Sequence, residues 1–156
     1  MVSHFQREVS AIAEQYPEPT SAVMPALRLA QEQHEGWLPP EALREVAEAL
    51  DITPGYVKGV ATFYDMFHLE PVGRRLVEVC TNICCGLRGA QGVLDAFESE
   101  LGVAPGETTP DGAFTLRAVE CIGGCDRPTV VAIDDRHRFN VSAAEVPQIV
   151  RELRDE

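Results

Sequence analysis

Four cysteines in two close pairs constrain this chain more than any other feature. Cys80 and Cys85 are separated by four residues, Cys121 and Cys125 by three, and thirty-five residues lie between the pairs. Each pair follows a short apolar run with strand character, Leu76 to Val79 and Phe114 to Glu120. Two strand ends on the same edge of one sheet would bring four thiols together, although each pair is local in sequence. The opening residues Met1-Val2-Ser3-His4-Phe5-Gln6-Arg7 turn polar too soon for a secretory signal and hold too little arginine for a transit peptide. The chain is therefore expected to stay in a reducing compartment, where cysteine pairs serve metal or redox chemistry before disulfides.

The spacing admits two kinds of centre. Structural zinc takes paired cysteines two to four residues apart. Zinc, however, usually clips together small modules with little core, and the second half of this chain has enough apolar periodicity to fold without it. Thiolates on longer loops suit an iron–sulfur cluster, which is wider than one ion, and plant-type ferredoxins also open with a four-residue gap. A thioredoxin-type dithiol would need C-x-x-C, which is absent. Two ferric ions, two sulfides and four thiolates sum to about −2, and the surroundings suit such a charge. Cys85 is expected to precede a helix N-terminus, whose free N–H groups favour anionic sulfur. Gly86, Gly123 and Gly124 would let backbone approach closely. Arg88 either offsets charge or is a solvated surface residue. Cys84 is the odd thiol. Pairing Cys80 with Cys84 would reproduce the three-residue gap of Cys121 and Cys125, so spacing alone does not choose between Cys84 and Cys85.

Charge narrows the partners. The chain holds 25 acids against 13 bases, a net of −12. Residues 1–71 account for 11 acids and 4 bases, and residues 72–156 for 14 and 9. DNA and anionic membrane surfaces repel such a molecule. No apolar run approaches the ~18 residues of a membrane-spanning helix. With 45% hydrophobic and 24% charged residues the composition is that of a globular protein, not of a disordered chain or a coiled coil.

The first 70 residues read as helices. Phe5, Val9 and Ile12 form one stripe, ended by Tyr16-Pro17-Glu18-Pro19. Thr20 or Ser21 can cap a second helix bearing Met24, Leu27 and Gln31, closed by Gly36 near Trp37. Pro40 suits a first helical position, with Leu38 and Leu43 as a hydrophobic staple and Leu43, Val46, Ala47 and Leu50 as the stripe. Thr53 and Pro54 open a fourth helix, with Ile52 and Val57 as its staple, carrying Val57, Val60, Ala61, Tyr64 and Phe67 and ending near His68. The aromatics Trp37, Tyr56, Phe63, Tyr64 and Phe67 are expected mostly in the core, with one or two at an interface. After Gly73 the pattern becomes strand, helix, strand, strand, helix: Leu76–Val79; Leu87, Ala90, Leu94, Phe97 and Leu101, ended by Gly102; Phe114–Glu120; Thr129–Ile133; and a last helix with Val146, Ile149, Val150 and Leu153, opened by Ser142 and Glu145. Pro147 lies awkwardly inside it. The expected architecture is α+β, a helical domain over residues 1–71 and a small α/β sheet domain over 72–156.

The segments Val79-Cys80-Thr81-Asn82-Ile83-Cys84-Cys85, Leu87-Arg88-Gly89-Ala90, Gly106-Glu107-Thr108-Thr109-Pro110-Asp111-Gly112 and Val119-Glu120-Cys121-Ile122-Gly123-Gly124-Cys125 resemble the [2Fe–2S] E-subunit family of NADH:quinone oxidoreductase, respiratory complex I. Gly59-Val60-Ala61-Thr62-Phe63-Tyr64 is similar to that family's helical region. The resemblance covers nearly the whole chain. It implies an N-terminal helical docking domain and a thioredoxin-like [2Fe–2S] domain. It implies cluster ligands at Cys80, Cys85, Cys121 and Cys125. Cys84 falls where relatives often have serine, so it becomes a bystander. It further implies a partner subunit that binds NADH and FMN and trades electrons with this cluster, no NADH or flavin site in this chain, and a place in the cytoplasmic peripheral arm of a bacterial complex. Related subunits serve NAD-dependent formate dehydrogenases and hydrogenases, so the parent assembly stays open, as does the presence of more than one copy. The chain departs from its relatives after the last cysteine. Asp126-Arg127-Pro128 is shorter than the usual run before Ala-Pro. Pro128 is expected to hold the bend into the next strand, a cis bond before it being the minority state of any X–Pro pair.

Two other classes are weaker. Leu50 to Val57 reads as the turn and second helix of a helix-turn-helix, but that helix offers only Lys58 to phosphates, followed by Asp65. An independent enzyme lacks support. There is no G-x-G-x-x-G after a strand, no P-loop and no nucleophile elbow, and His4, His34, His68 and His137 are scattered.

Overall fold

The computed structural model describes residues 3–155; Met1, Val2 and Glu156, including the very start of the segment weighed as a leader, lie outside them. Contacts between Cα atoms divide the chain into two units, Met1–Pro71 and Val72–Glu156.

The first unit is helical: α1 (His4–Ala13), a 3-10 turn (Pro19–Ala22), α2 (Val23–Gln33), α3 (Pro40–Leu50) and α4 (Pro54–Phe63). Helices of ten or eleven residues are marginal alone, so packing stabilises them. The buried stripe combines Val9, Leu27, Val46 and Val57 with the alanines 22, 26, 30, 42, 47 and 61, whose small side chains let helix axes approach. Local signals set the starts. Pro40 opens α3, with Leu38 and Leu43 buried beside it. The Thr53 hydroxyl accepts the Tyr56 N–H at 3.3 Å to open α4. Ser3 and Gln6 form an unanticipated capping box on α1.

Three expectations change here. Neither Thr20 nor Ser21 caps α2; a 3-10 turn runs into it, and Ala22 occupies the cap position without a side-chain bond. Helix α4 ends at Phe63, five residues before His68. In its last turn the Thr62 hydroxyl donates to the carbonyls of Lys58 and Gly59, and Tyr64 is extended at φ −97°. A turn closed from the Phe67 N–H to the Tyr64 carbonyl then returns Phe67 to the core. The aromatics are consequently not mostly internal. Phe67 is buried, whereas Tyr56, Phe63 and Tyr64 are exposed.

The second unit is a four-stranded sheet with helices. Strands β1 (Arg75–Cys80) and β2 (Phe114–Val119) are parallel neighbours joined through α5 (Ile83–Leu87) and α6 (Ala90–Leu101). Strand β3 (Val131–Ile133) pairs antiparallel to β1, and β4 (Arg136–Arg138) to β3, giving the order β2-β1-β3-β4. Alternation puts Val77 and Val79 of β1 and Phe114 and Leu116 of β2 into one core with α6 and α7 (Val146–Asp155). Glu78 and Arg117, register partners on β1 and β2, form an ion pair at 3.2 Å.

Strand β4 has no counterpart in the sequence pattern. Its hairpin turns on Asp134 and Asp135, both with positive φ (48° and 64°), the backbone sign of a type I′ turn. The helix expected to run from Leu87 is interrupted. Gly89, at φ +92°, separates α5 from α6, and Leu87 points to solvent rather than joining the Leu94 and Phe97 stripe. Pro147 causes no strain because it is the second residue of α7, where its missing N–H has no intrahelical acceptor. The Ser142 and Glu145 capping box forms at the 3-10 turn leading into that helix.

Candidate functional site

The carboxyl ends of β1 and β2 carry the thiols. Cys80 closes β1 and stands in register with Val119, so Cys121 emerges two residues beyond the end of β2. Cys85 lies within α5, not ahead of a helix, as the sequence had suggested. The reason is local: the Asn82 side chain accepts the Ile83 N–H at 2.8 Å and starts a helical turn before the cysteine is reached. Cys80 and Cys85 are buried in a small apolar cluster with Ala90 and Val130, against which Ile122 and Phe139 pack. Cys121 and Cys125 are exposed, and Cys84 is half-buried.

Two of the thiols are raised by their surroundings. Burial pushes the Cys85 thiol up, and neighbouring Cys80 and Cys125 push the same way, against a hydrogen bond with the Val130 backbone. Cys125 is also raised, first by hydrogen bonding and charge from Cys84, with Cys121 adding to it. Cys85 thus has Cys80 and Cys125 as neighbours, and Cys125 has Cys84 and Cys121. Burial and like-charged neighbours both disfavour a thiolate, so the rise at Cys85 and Cys125 reflects their crowding.

The second loop is shaped by glycine and by Phe139. Gly123 takes φ +80° and donates its N–H to Cys121 Sγ at 3.4 Å. A Cβ on Gly124 would sit 2.8 Å from Phe139 Cε1 and 2.9 Å from Val130 Cγ2. The Arg127 guanidinium stacks on the same Phe139 ring at 3.7 Å, and His137 meets its edge at 5.8 Å between centroids. Gly86 differs. A Cβ there would find only the Thr81 carbonyl at 3.7 Å, so the protein's own packing does not demand glycine. The cis peptide bond of this loop joins Pro128 to Thr129; it is not the bond before the proline. Thr129 donates its hydroxyl to the Val141 carbonyl.

Among the described residues, no three His, Cys, Asp or Glu side chains converge closely enough to hold a single metal ion as they stand. A [2Fe–2S] core makes a different demand, two pairs of thiolates on two irons. The donor set fits that demand: two thiol pairs at adjacent parallel strand ends, one pair buried among apolar side chains, and a backbone N–H already aimed at a sulfur. His4 and His34 are engaged elsewhere. His4 pairs with Glu8 at 2.9 Å, and His34 faces Glu45 at 3.6 Å.

Comparison with known proteins agrees with this chemistry. A model of the thioredoxin-like [2Fe–2S] ferredoxin family matches residues 9–154. The chain belongs to that family. This thioredoxin-like ferredoxin is 43% identical over 149 residues to the E 2 subunit of NADH-quinone oxidoreductase from Rhizobium meliloti (strain 1021), covering 96% of this chain and 88% of that one. It is 36% identical over 135 residues to the E subunit of NADH-quinone oxidoreductase from Escherichia coli (strain K12), covering 86% and 81%. Its fold also superposes on an NAD+-reducing [NiFe]-hydrogenase in the air-oxidised state with a TM-score of 0.72 and 22% identity, over 83% of this chain but only 23% of that one. The Rhizobium meliloti and Escherichia coli relatives are subunits of NADH-quinone oxidoreductase, and membership of the ferredoxin family gives this chain the role of an electron-transfer part of an oxidoreductase. Among its described residues, no helix is long and apolar enough to cross a membrane.

Proposed function

We propose that this ferredoxin holds one [2Fe–2S] cluster on Cys80, Cys85, Cys121 and Cys125 and exchanges single electrons with the FMN of an NADH-oxidising partner subunit of NADH:quinone oxidoreductase. The observation that carries the reading is the gathering of two thiol pairs at the carboxyl ends of parallel neighbours β1 and β2, close enough that neighbouring thiols raise Cys85 and Cys125. The cluster would supply a one-electron carrier; the chain's own residues do the rest. Cys80 and Cys85, 2% and 1% exposed, would hold it in the apolar cluster with Val130 and Ala90. Cys121 and Cys125 would hold the side that faces outward, where a partner can approach. The Gly123 N–H would stabilise charge on Cys121 Sγ. Cys84 is a bystander in this reading. Residues 1–71 serve as the docking domain and residues 72–156 as the cluster domain, within the cytoplasmic peripheral arm of the complex.

The test is iron and acid-labile sulfide per chain, followed by chemical reduction and paramagnetic resonance. We expect a reversibly reducible signal in the isolated chain, and reduction by NADH only after the flavin-bearing subunit is added. A colourless, zinc-loaded chain after anaerobic isolation sinks the reading. Reduction by NADH without any flavoprotein sinks the division of labour. Isolation of the native assembly then separates a respiratory complex from a formate dehydrogenase or hydrogenase.

A further inference from the structure

Cys80 and Cys85 form a small buried cluster with Ala90 and Val130, and Phe139, one residue past β4, packs against it. Val130 is anchored, since its carbonyl accepts the Cys80 N–H at 3.1 Å. The Phe139 ring is half-buried and hemmed in on several sides. Gly124 backs onto its edge: a Cβ there would come within 2.8 Å of Cε1. His137 meets the ring edge to face at 5.8 Å between centroids. The Arg127 guanidinium lies over the ring at 3.7 Å from the centroid. Arg127 is exposed, so the guanidinium and the ring make the outer layer above the buried thiols.

Arg127 is pinned in its turn. Its N–H donates to the Gly124 carbonyl at 3.1 Å, closing a turn around Cys125. Its carbonyl accepts the N–H of Asn140, the neighbour of Phe139, at 3.2 Å. Its Nε–H donates to the Asp126 carboxylate at 3.1 Å. That carboxylate offsets the guanidinium charge, and among the described residues no other ion pair reaches Arg127. Arg127 therefore acts by stacking its flat guanidinium more than as a free cation. One turn thus presents Cys125 outward and lays Arg127 on the ring that shelters Cys80 and Cys85.

We propose that Phe139, held shut by Arg127, is the cover of the buried thiol pair and excludes water and soluble reagents from Cys80 and Cys85. An apolar shell controls the solvent and dielectric around a metal centre, and through them its reduction potential. Reduction adds negative charge, which dry surroundings disfavour, so a closed cover keeps the potential of the centre low. The exclusion stands on packing alone; its effect on the potential rests on the cluster reading above.

The experiment measures iodoacetamide labelling of the full-length, iron-free chain by peptide mass spectrometry, and the midpoint potential of the chain as isolated by paramagnetic-resonance titration. Phe139→Ala should speed labelling of Cys80 and Cys85 by about tenfold or more, with exposed Cys121 as the unchanged reference, and should raise the midpoint. Arg127→Ala should speed the same two thiols by about two- to fivefold, the worth of one exposed cation–π contact. Phe139→Leu keeps an apolar cover and should restore most of both readings. Unchanged labelling of Cys80 and Cys85 in Phe139→Ala overturns the proposal, and so does a Phe139→Leu chain that behaves as Phe139→Ala. Should Phe139→Ala speed labelling of all five cysteines, the fold has loosened and Arg127→Ala decides alone; wild-type rates there overturn the cover. Selective labelling with an unmoved midpoint overturns the link to the potential. Selective labelling in a chain that never holds iron and sulfide would refute the cluster reading and leave the cover standing.

Discussion

Gly124→Ala tests whether the loop bearing Cys121 and Cys125 is seated as described. The added Cβ would lie 2.8 Å from Phe139 Cε1, 2.9 Å from Val130 Cγ2 and 3.3 Å from Phe139 Cδ1. Carbon pairs are comfortable at about 3.5–4.0 Å, so two of these contacts are short by more than half an ångström. Val130 is fully buried and β-branched, with little freedom at χ1. Phe139 is held from its other side by Arg127 at 3.7 Å. No single rotamer change relieves both contacts. Forcing one methyl into a filled site costs ~1–3 kcal/mol, and a disturbed Arg127–Phe139 stack adds ~0.5–1 kcal/mol. At ~4–8 °C per kcal/mol for a unit of this size, the Tm of the cluster-free chain should fall by roughly 10 °C. Gly86→Ala is the matched control. Its Cβ meets only the Thr81 carbonyl at 3.7 Å, and alanine inside a helix is favoured by ~0.5–1 kcal/mol, so its Tm should hold or rise. The assay is far-ultraviolet circular dichroism melting of both full-length variants. Equal melting of Gly124→Ala and wild type would refute the packing argument, and so would a loss in Gly86→Ala as large as that in Gly124→Ala.

Iron analysis of the serine series checks the ligand set. Cys80→Ser, Cys85→Ser, Cys121→Ser or Cys125→Ser should each lose the cluster or strongly perturb its spectrum, while Cys84→Ser keeps full iron; iron lost from Cys84→Ser but retained in Cys85→Ser reverses the assignment. Acid should destabilise the chain through four carboxyl groups. Hydrogen bonding by Thr109 and the Ala113 N–H holds Asp111 below the ordinary range, Ser142 does so for Glu145, Arg138 and Gln148 for Glu152, and its own backbone N–H and then the Arg44 guanidinium for Glu41. Their folded values lie below the unfolded ones, so the unfolded chain takes up protons first as pH falls. Stability is therefore fully present above about pH 5 and declines through pH 4 and below. Urea titrations of the cluster-free chain at pH 7, 5 and 3.5 measure this, and a midpoint that does not move between pH 5 and 3.5 would contradict it.

Legibility followed the range of the forces involved. The starts of α3 and α4 were readable because proline, a capping threonine and a leucine staple act within five residues. The end of α4 was not, because Val60, Tyr64 and Phe67 continue a helical period that the chain does not use. The Thr62 hydroxyl and the Gln31 carboxamide set the path there, and Gln31 acts from 35 residues away. Strand β4 was invisible because Arg136-His137-Arg138 is an edge strand of three residues with no apolar alternation. Its only local sign is the Asp134-Asp135 turn, which tolerates positive φ less readily than glycine does. The placement of Cys80 and Cys121 at or just past strand ends was readable from the apolar runs before them, whereas spacing did not choose between Cys84 and Cys85. The short helix that absorbs Cys85 was not legible, since five residues give no period; Asn82 as a cap was the available sign.

The core and the site are joined through register. Phe114 and Leu116 face inward beside Val77 and Val79, and that fit fixes Cys80 opposite Val119. Cys121 then lies two residues, or ~7 Å, farther along the strand direction. A slip of one residue in β2 would carry Cys121 by ~3.3 Å and turn Leu116 out of the core. Burying a leucine is worth ~1.5–3 kcal/mol, so the apolar pattern opposes that slip without reference to any metal. The loops, by contrast, take their shape from Gly123, Gly124 and the Phe139 ring, whose contacts are few and half-exposed. The strand ends are thus set by the core, while the fine placement of Cys121 and Cys125 rests on a handful of local contacts, and substitutions there should alter the proposed centre before they unfold the sheet.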